Sequence, residues 1–169
     1  MDYNLADRKL VIGDSSLCCL TSVRDLGVVV DPQLTFEEHI DNTVSKAKQR
    51  IYLLFKSFTN RNINLMVFAY KTYILPLFEY CSSIWSPYKT ADVDRIESVQ
   101  RYFTKKLDGL NNLTYNERLL ACNLPSLELR RLRSDLTLRF KIVHKIIALD
   151  FTDFLEFETN KYNTRGNKF

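Results

Sequence analysis

The acidic side chains could serve two-metal phosphoryl transfer only if their carboxylates converge on two ions about 4 Å apart. Asp92 and Asp94 lie two positions apart at the start of a predicted helix. There they point in different directions and complement the positive end of the helix dipole. Asp25 and Asp31 lie six positions apart on an extended segment, too far to share an ion. These patterns indicate structural carboxylates, and they predict no catalytic residue and no metal ligand.

The other reactive side chains form no recognisable catalytic pattern. The sequence lacks a Gly-x-Ser-x-Gly elbow and the glycine-rich phosphate loops Gly-x-x-x-x-Gly-Lys and Gly-x-Gly-x-x-Gly. Its four cysteines form no Cys-x-x-Cys pair, and its two histidines are too few and too scattered for a zinc module. We therefore expect no nucleophilic catalysis, no phosphate loop and no zinc.

Charge is distributed unevenly along the chain, with a net charge of −1 over residues 1–60, +6 over 61–149 and −1 over 150–169. The basic middle favours an anionic partner such as a phosphate backbone, and it fits solvated helix faces equally well. No stretch approaches the roughly 18 apolar residues of a membrane span, and the polar start MDYNLADRKL lacks the apolar core of a secretory signal. We expect an intracellular protein, nuclear or cytoplasmic, without a membrane partner.

The hydrophobic pattern changes at Asp31-Pro32, from one typical of strands to one typical of helices. Before this point, residues 9–13, 17–20 and 24–30 are typical of short antiparallel strands, with 13–16 as a turn. After it, helical periodicity dominates. The sequence predicts helices over about 35–58, 63–75 with a restart at Pro76, 90–107, 117–122 and 124–149.

Capping boxes are predicted at two helix starts, Thr35 with Glu38 and Thr114 with Glu117. The last helix carries an apolar stripe that we expect to be buried, formed by Leu129, Leu132, Leu136, Phe140, Val143 and Ile147. Core packing is also the favoured interpretation for Tyr80, Trp85 and Tyr88. The fold class is therefore α+β and mostly α. It comprises a short N-terminal antiparallel β element over 1–32, a helical body over 33–149 and a loose tail over 150–169.

Five ordered sequence blocks carry a family resemblance. The first is VRDLGV at 23–28, followed by LTF at 34–36, HI at 39–40 and KA at 46–47. The others are LFEYCSSIWSP at 77–87, IESVQR at 96–101, LTYNERL at 113–119 and SLELRR at 126–131. Together they resemble the stretch that follows the active site in jockey-like non-LTR retrotransposon reverse transcriptases.

The resemblance implies a right-hand RNA-directed DNA polymerase. In that family, Asp25, Leu26 and Gly27 would form a hairpin at the end of the palm, near the primer terminus. The following helices would form a thumb that grips the template–primer duplex. The catalytic aspartates lie upstream of these blocks in the family, and this chain has no Asp-Asp pair. We therefore expect an inactive, truncated mobile-element remnant that needs no cofactor, although the parent polymerase, with its palm and fingers, would use magnesium.

The basic helix faces are the predicted binding surface for RNA or an RNA–DNA hybrid. The nominated residues are Lys46, Lys48, Lys56, Arg95, Arg101, Lys105, Lys106, Arg130 and Arg131. The alternative is a non-catalytic helical protein–protein interaction module. An exposed apolar patch near residues 9–30 and 63–85 would favour this alternative.

Overall fold

The computed structural model describes residues 11–12, 15–16, 20–59 and 61–149. The strands are β1 (Val11–Ile12), β2 (Ser15–Ser16), β3 (Val23–Asp25) and β4 (Val28–Val30). The helices are α1 (Glu37–Ser57), α2 (Ile63–Tyr73), α3 (Leu75–Glu79), α4 (Ser82–Trp85), α5 (Thr90–Lys105), α6 (Tyr115–Ala121) and α7 (Leu127–Val143). The predicted fold class is confirmed: a short antiparallel β element precedes a mainly helical body.

The chain divides into two compact units, Met1–Arg131 and Leu132–Phe169. The tail predicted over 150–169 lies outside the described residues, as do 9–10 and 17–19 of the predicted strands.

The β element consists of two separate hairpins. In the first, Ser15 and Ser16 pair with Ile12 and Val11, so the last two residues of the turn predicted over 13–16 belong to a strand instead. In the second, β3 pairs with β4 in the register Val23↔Val30, Arg24↔Val29 and Asp25↔Val28. Residues 24–30 are thus two strands rather than one. Leu26 and Gly27 form the turn with φ of 43° and 90°, as two-residue hairpin loops require.

Helix α1 begins differently from the prediction. Phe36 occupies the N-cap position in a left-handed conformation, and Thr35 makes no capping bond to the helix. The carboxylate of Asp31 instead accepts hydrogen bonds from the amides of Gln33, Thr35 and Phe36, at 3.0, 3.1 and 2.7 Å. These bonds hold the pKa of Asp31 below its usual range. The capping box at Thr35 was therefore wrong, whereas the box formed by Thr114 and Glu117 at α6 is confirmed.

The core lies between α1, α2 and α5. Ile40, Ala47 and Ile51 of α1 are fully buried, and so are Ile96, Val99 and Phe103 of α5. The rings of Tyr70 and Phe103 stack with their centres 4.4 Å apart. The apolar faces of α1 and α5 therefore face each other across the core.

Helices α2, α3 and α4 follow one another with two sharp breaks. Pro76 stands in the first turn of α3, where its missing amide is tolerated. Cys81, with φ of 51°, precedes α4. Trp85 is fully buried and donates its indole hydrogen to the carbonyl of Tyr80 at 2.7 Å. The restart predicted at Pro76 is confirmed.

A buried carboxylate joins the later helices. Glu97 of α5 is 5% exposed and accepts hydrogen bonds from the amides of Leu127 (3.0 and 3.3 Å) and Glu128 (3.4 Å) at the start of α7. The hydroxyl of Tyr115 also donates to Glu97. Burial, followed by this bond, raises the pKa of Tyr115. Glu97 therefore caps the first two amides of α7 from a different helix, while the adjacent Ser126 accepts the amide hydrogen of Leu129 at 3.1 Å.

Gln100, one turn further along α5, is fully buried and extends the same network. Its amide oxygen accepts from the hydroxyl of Tyr70 at 3.0 Å, and its nitrogen donates to the carbonyl of Pro125 at 2.9 Å. Buried Arg118 donates to Thr104 at 3.2 Å and to the carbonyl of Leu113 at 2.6 Å. These bonds satisfy polar groups that would otherwise be costly to bury.

Helix α7 departs from the prediction in two ways. It ends at Val143 rather than near residue 149. Leu129, Leu132, Leu136 and Phe140 of its predicted stripe are 38–56% exposed, although Leu127 at its start is buried. The periodicity therefore identified an amphipathic face correctly but could not say whether another surface covers it.

The Glu97 cap should make a measurable contribution to stability. We predict that Glu97→Gln lowers the free energy of unfolding by about 2 kcal/mol, because a buried charged acceptor with several donors is replaced by a neutral amide. Urea unfolding followed by the emission of Trp85, the single tryptophan, measures the change. Asp108→Asn on the exposed surface should stay within about 0.5 kcal/mol of wild type. Equal losses in the two variants would contradict the prediction.

Candidate nucleic-acid interface

The tip of the β3–β4 hairpin is exposed and is anchored from one side. Leu26 is 84% exposed. Its carbonyl accepts a hydrogen bond from the hydroxyl of Tyr80 at 2.8 Å. A Cβ on Gly27 would lie 3.6 Å from the ring of Tyr80, which is ordinary contact. Asp25 is also exposed, so the three hairpin residues nominated from the sequence lie together at this tip. The block around Tyr80 therefore supports the tip.

His39 of α1 also holds the β3–β4 hairpin, through a hydrogen bond to the backbone of β4. It is 7% exposed, and its Nδ1 accepts the amide hydrogen of Val29 at 3.2 Å. Its ring centre lies 5.1 Å from that of Trp85. Burial, followed by the positive charges of Lys46 and Arg24, lowers the pKa of His39. The neutral ring is the form that can accept this bond.

Three of the nominated basic residues have their charge engaged by an acid. Arg95 contacts Asp41 at 2.5 Å and Asp92 at 3.6 Å. Arg101 contacts Asp94 at 3.3 Å and lies over the ring of Tyr115. The guanidinium of Arg130 donates to Glu79, with one contact of 2.7 Å. Binding a phosphate through these arginines would require exchange of an existing ion pair.

Arg131 differs from the other nominated residues because it is only 5% exposed. A buried guanidinium cannot contact a phosphate backbone at the surface. The sequence placed it on the outer side of the helix with Arg130, and that placement was wrong.

The remaining nominated residues are exposed and form no ion pair within the described part of the chain. They are Lys46, Lys48 and Lys56 of α1, with Lys105 and Lys106 at the end of α5. The structure therefore separates five available cations from four that are paired or buried. Sequence spacing indicates only the contact between Asp92 and Arg95 at i,i+3, whereas Asp41, Asp94 and Glu79 are seven or more positions from the arginines they contact.

Sequence reasoning missed Arg61, which lies in the connection between α1 and α2. Its guanidinium carbon lies 5.4 Å from the ring centre of Phe55, and Lys106 approaches the same ring at 5.8 Å. Lys106 also lies 4.7 Å from the ring centre of Tyr102. The sequence signal that could have identified Arg61 is a cation in a helix connection that follows an aromatic residue, Phe55, near the end of the preceding helix. We call Phe55, Arg61, Tyr102 and Lys106 the basic-aromatic cluster.

The carboxylates do not fit the magnesium site that the resemblance implies for a complete polymerase. In the described ranges, no three His, Cys, Asp or Glu side chains come together as metal ligands. Asp31 is occupied by its own loop, Asp92 and Asp94 by arginines, and Glu97 by the start of α7. Each of these four carboxylates therefore has a structural partner.

Apolar side chains are exposed in both segments named by the alternative hypothesis. Leu20, Val23 and Leu26 are more than 50% exposed in the first segment. In the second, the exposed residues are Leu65, Phe68, Tyr73, Tyr80 and Ile84. Tyr88 is 74% exposed, so of the three aromatic residues expected in the core, only Trp85 is buried. No helix in the described part has the length and apolar character to cross a membrane.

The fold and its surface can now be compared with known proteins. No protein-family model and no solved structure matches this chain. An uncharacterised protein of Caenorhabditis elegans is 25% identical over 113 residues, which cover 65% of this chain and 57% of that protein. The chain thus spans a little over half the length of this relative.

The bond between His39 and Val29 should make the hairpin sensitive to pH. Because the folded-state pKa of His39 lies below 6.5, the stabilisation is fully present above about pH 6.5 and is lost as the pH falls through the folded value. We predict that the hydrogen-exchange protection factor of the Val29 amide falls on acidification. His39→Asn, which does not titrate, should remove this dependence. A protection factor with the same pH dependence in both proteins would refute the assignment.

Proposed function

We propose that this chain is the post-active-site part of a non-LTR retrotransposon reverse transcriptase, and that it binds RNA or an RNA–DNA hybrid without polymerising. The observation that carries the binding proposal is the set of exposed cations without an acidic partner in the described part: Lys46, Lys48, Lys56, Lys105 and Lys106. Cations that pair with no acid remain available to replace the counterions of a phosphate backbone.

The contacts among the sequence blocks support the ancestry part of the proposal. The Leu26 carbonyl of the first block bonds to Tyr80 of the second. Glu97 of the third block bonds to Tyr115 of the fourth and to Leu127 of the fifth. Blocks that specify a common fold should pack on one another in this way. The resemblance and the packing therefore point in the same direction, although they come from different observations.

Binding can be tested with a labelled RNA–DNA hybrid in a salt series. We predict that affinity falls steeply with salt, and that Lys48→Gln, Lys56→Gln and Lys105→Gln together reduce the slope of log K against log salt by about 2 to 3. The matched control is Arg95→Gln, Arg101→Gln and Arg130→Gln, which removes the same net charge but takes it from ion pairs. The control should change the slope less. Equal slopes in both triple variants, or no binding by the wild type at low salt, would overturn the proposal.

The same proposal predicts no template-directed nucleotide incorporation by this chain with magnesium or manganese, because no three described His, Cys, Asp or Glu side chains come together as metal ligands. A primer-extension assay on the purified chain measures this. Incorporation that a chelator abolishes and that survives repurification would contradict it.

A protein–protein interaction module is the second candidate function, and the exposed apolar residues favour it. Leu26 and Ile84 are 84% and 63% exposed on the hairpin side, and Phe68 is 68% exposed on α2. Exposed apolar surface is a common mark of a protein interface. Sedimentation across a concentration series tests self-association. The second candidate would be supported over the first if the chain self-associates and does not bind nucleic acid. Phe68→Ser or Ile84→Ser should then abolish the self-association.

A further inference from the structure

Helices α1 and α5 run parallel, so their carboxyl ends meet. Three contacts establish the direction. Glu37 pairs with Lys89 at the start of the two helices, Asp41 pairs with Arg95 further along, and Phe55 packs on Phe103 near the ends, with ring centres 5.8 Å apart. The amino ends of the pair therefore carry acid–base contacts between the helices.

The carboxyl ends carry positive charge without such contacts. Arg61 and Lys106 both approach the ring of Phe55, and neither forms an ion pair with any described residue. Lys56 and Lys105 stand in the last turns of α1 and α5. Each helix end supplies roughly half a negative charge, which offsets only part of four cations. Asp108 is the nearest acid along the chain, and it pairs with none of them in the described structure.

An aromatic ring is available in the same place. Tyr102 is 42% exposed with Lys106 beside it. Phe55 is half-buried and rests on Phe103, which fixes the position of the cluster on two packed helices. An exposed ring next to uncompensated cations is the combination by which proteins hold single strands, with bases on the ring and phosphates on the cations. A duplex keeps its bases stacked inside, so a surface tyrosine gains little from it.

We propose that the basic-aromatic cluster of Phe55, Arg61, Tyr102 and Lys106 binds a single-stranded segment of RNA or DNA. Arg61 and Lys106 hold consecutive phosphates, and Tyr102 stacks on a base between them. The inference rests on the nucleic-acid binding proposed above, and it adds the strand state and the residues. On a template–primer, the cluster would hold unpaired nucleotides beside the duplex.

Three probes test the inference by fluorescence anisotropy: a uridine oligoribonucleotide and a thymidine oligodeoxynucleotide of about 12 residues, long enough for one such site, and an RNA–DNA hybrid. Arg61→Gln with Lys106→Gln should weaken single-strand binding about tenfold or more, because two phosphate contacts are lost. The matched control is Arg133→Gln with Arg139→Gln, two exposed arginines of α7. The control should weaken single-strand binding much less. The two single strands distinguish RNA from DNA as the preferred ligand.

Stacking is tested separately from charge. Tyr102→Leu should lower single-strand affinity about fivefold to a hundredfold and leave hybrid affinity unchanged, whereas Tyr102→Phe should keep wild-type affinity. Arg61→Lys with Lys106→Arg retains the charges and should also retain binding. Trp85 emission and the urea midpoint verify that each variant is folded.

The outcomes separate the two proposals. If the cluster variants bind single strands as the control does, or lose hybrid and single-strand affinity equally, the single-strand site is overturned. Hybrid binding by the wild type would then leave the proposed function standing. If the wild type binds none of the three probes, both proposals fail.

Discussion

The later helices depend on one buried carboxylate, that of Glu97. A carboxylate in the interior is costly unless its lone pairs are satisfied. Glu97 meets this condition with the amides of Leu127 and Glu128 and with the hydroxyl of Tyr115. The amides also present the positive end of the α7 dipole. One side chain on α5 therefore holds the starts of both α6 and α7, and it caps α7 together with Ser126, whose Oγ accepts the amide hydrogen of Leu129 at 3.1 Å.

The hairpin and the start of α7 share a common support, the end of α3. Tyr80 holds the carbonyl of Leu26, while its neighbour Glu79 pairs with Arg130. Trp85 in turn fixes Tyr80 by donating to its carbonyl. The tip of the hairpin and the first turns of α7 are thus positioned by adjacent residues. A change that shifts α3 would therefore move both the hairpin tip and the first turns of α7, although the two are distant in sequence.

Local patterns predicted the helices well, because helix formation and the capping box at Thr114 depend on neighbours in sequence. They failed where a distant or differently placed group supplied the bond. Asp31 replaced Thr35 because its carboxylate reaches three amides of a tight loop. Periodicity also missed the hairpin turn at Leu26 and Gly27, because it cannot locate a reversal in so short a segment, whereas the family resemblance implied a hairpin there. The exposed stripe of α7 marks the same limit, because a pattern describes one face and not what covers it.

From the sequence, the candidate interface was predictable only as a set of cations. The structure adds which of these cations contact an acid and which do not. A net charge of +6 over residues 61–149 counts Arg95, Arg101 and Arg130 equally with Lys105 and Lys106. Surface ion pairs contribute little to stability, but they neutralise the field that a phosphate would experience. The ion pairs between α1 and α5 lie at their amino ends, and because the two helices are parallel, Lys56, Arg61, Lys105 and Lys106 come together near their carboxyl ends. The direction of the two helices, rather than the amount of charge, therefore places these four cations near one another.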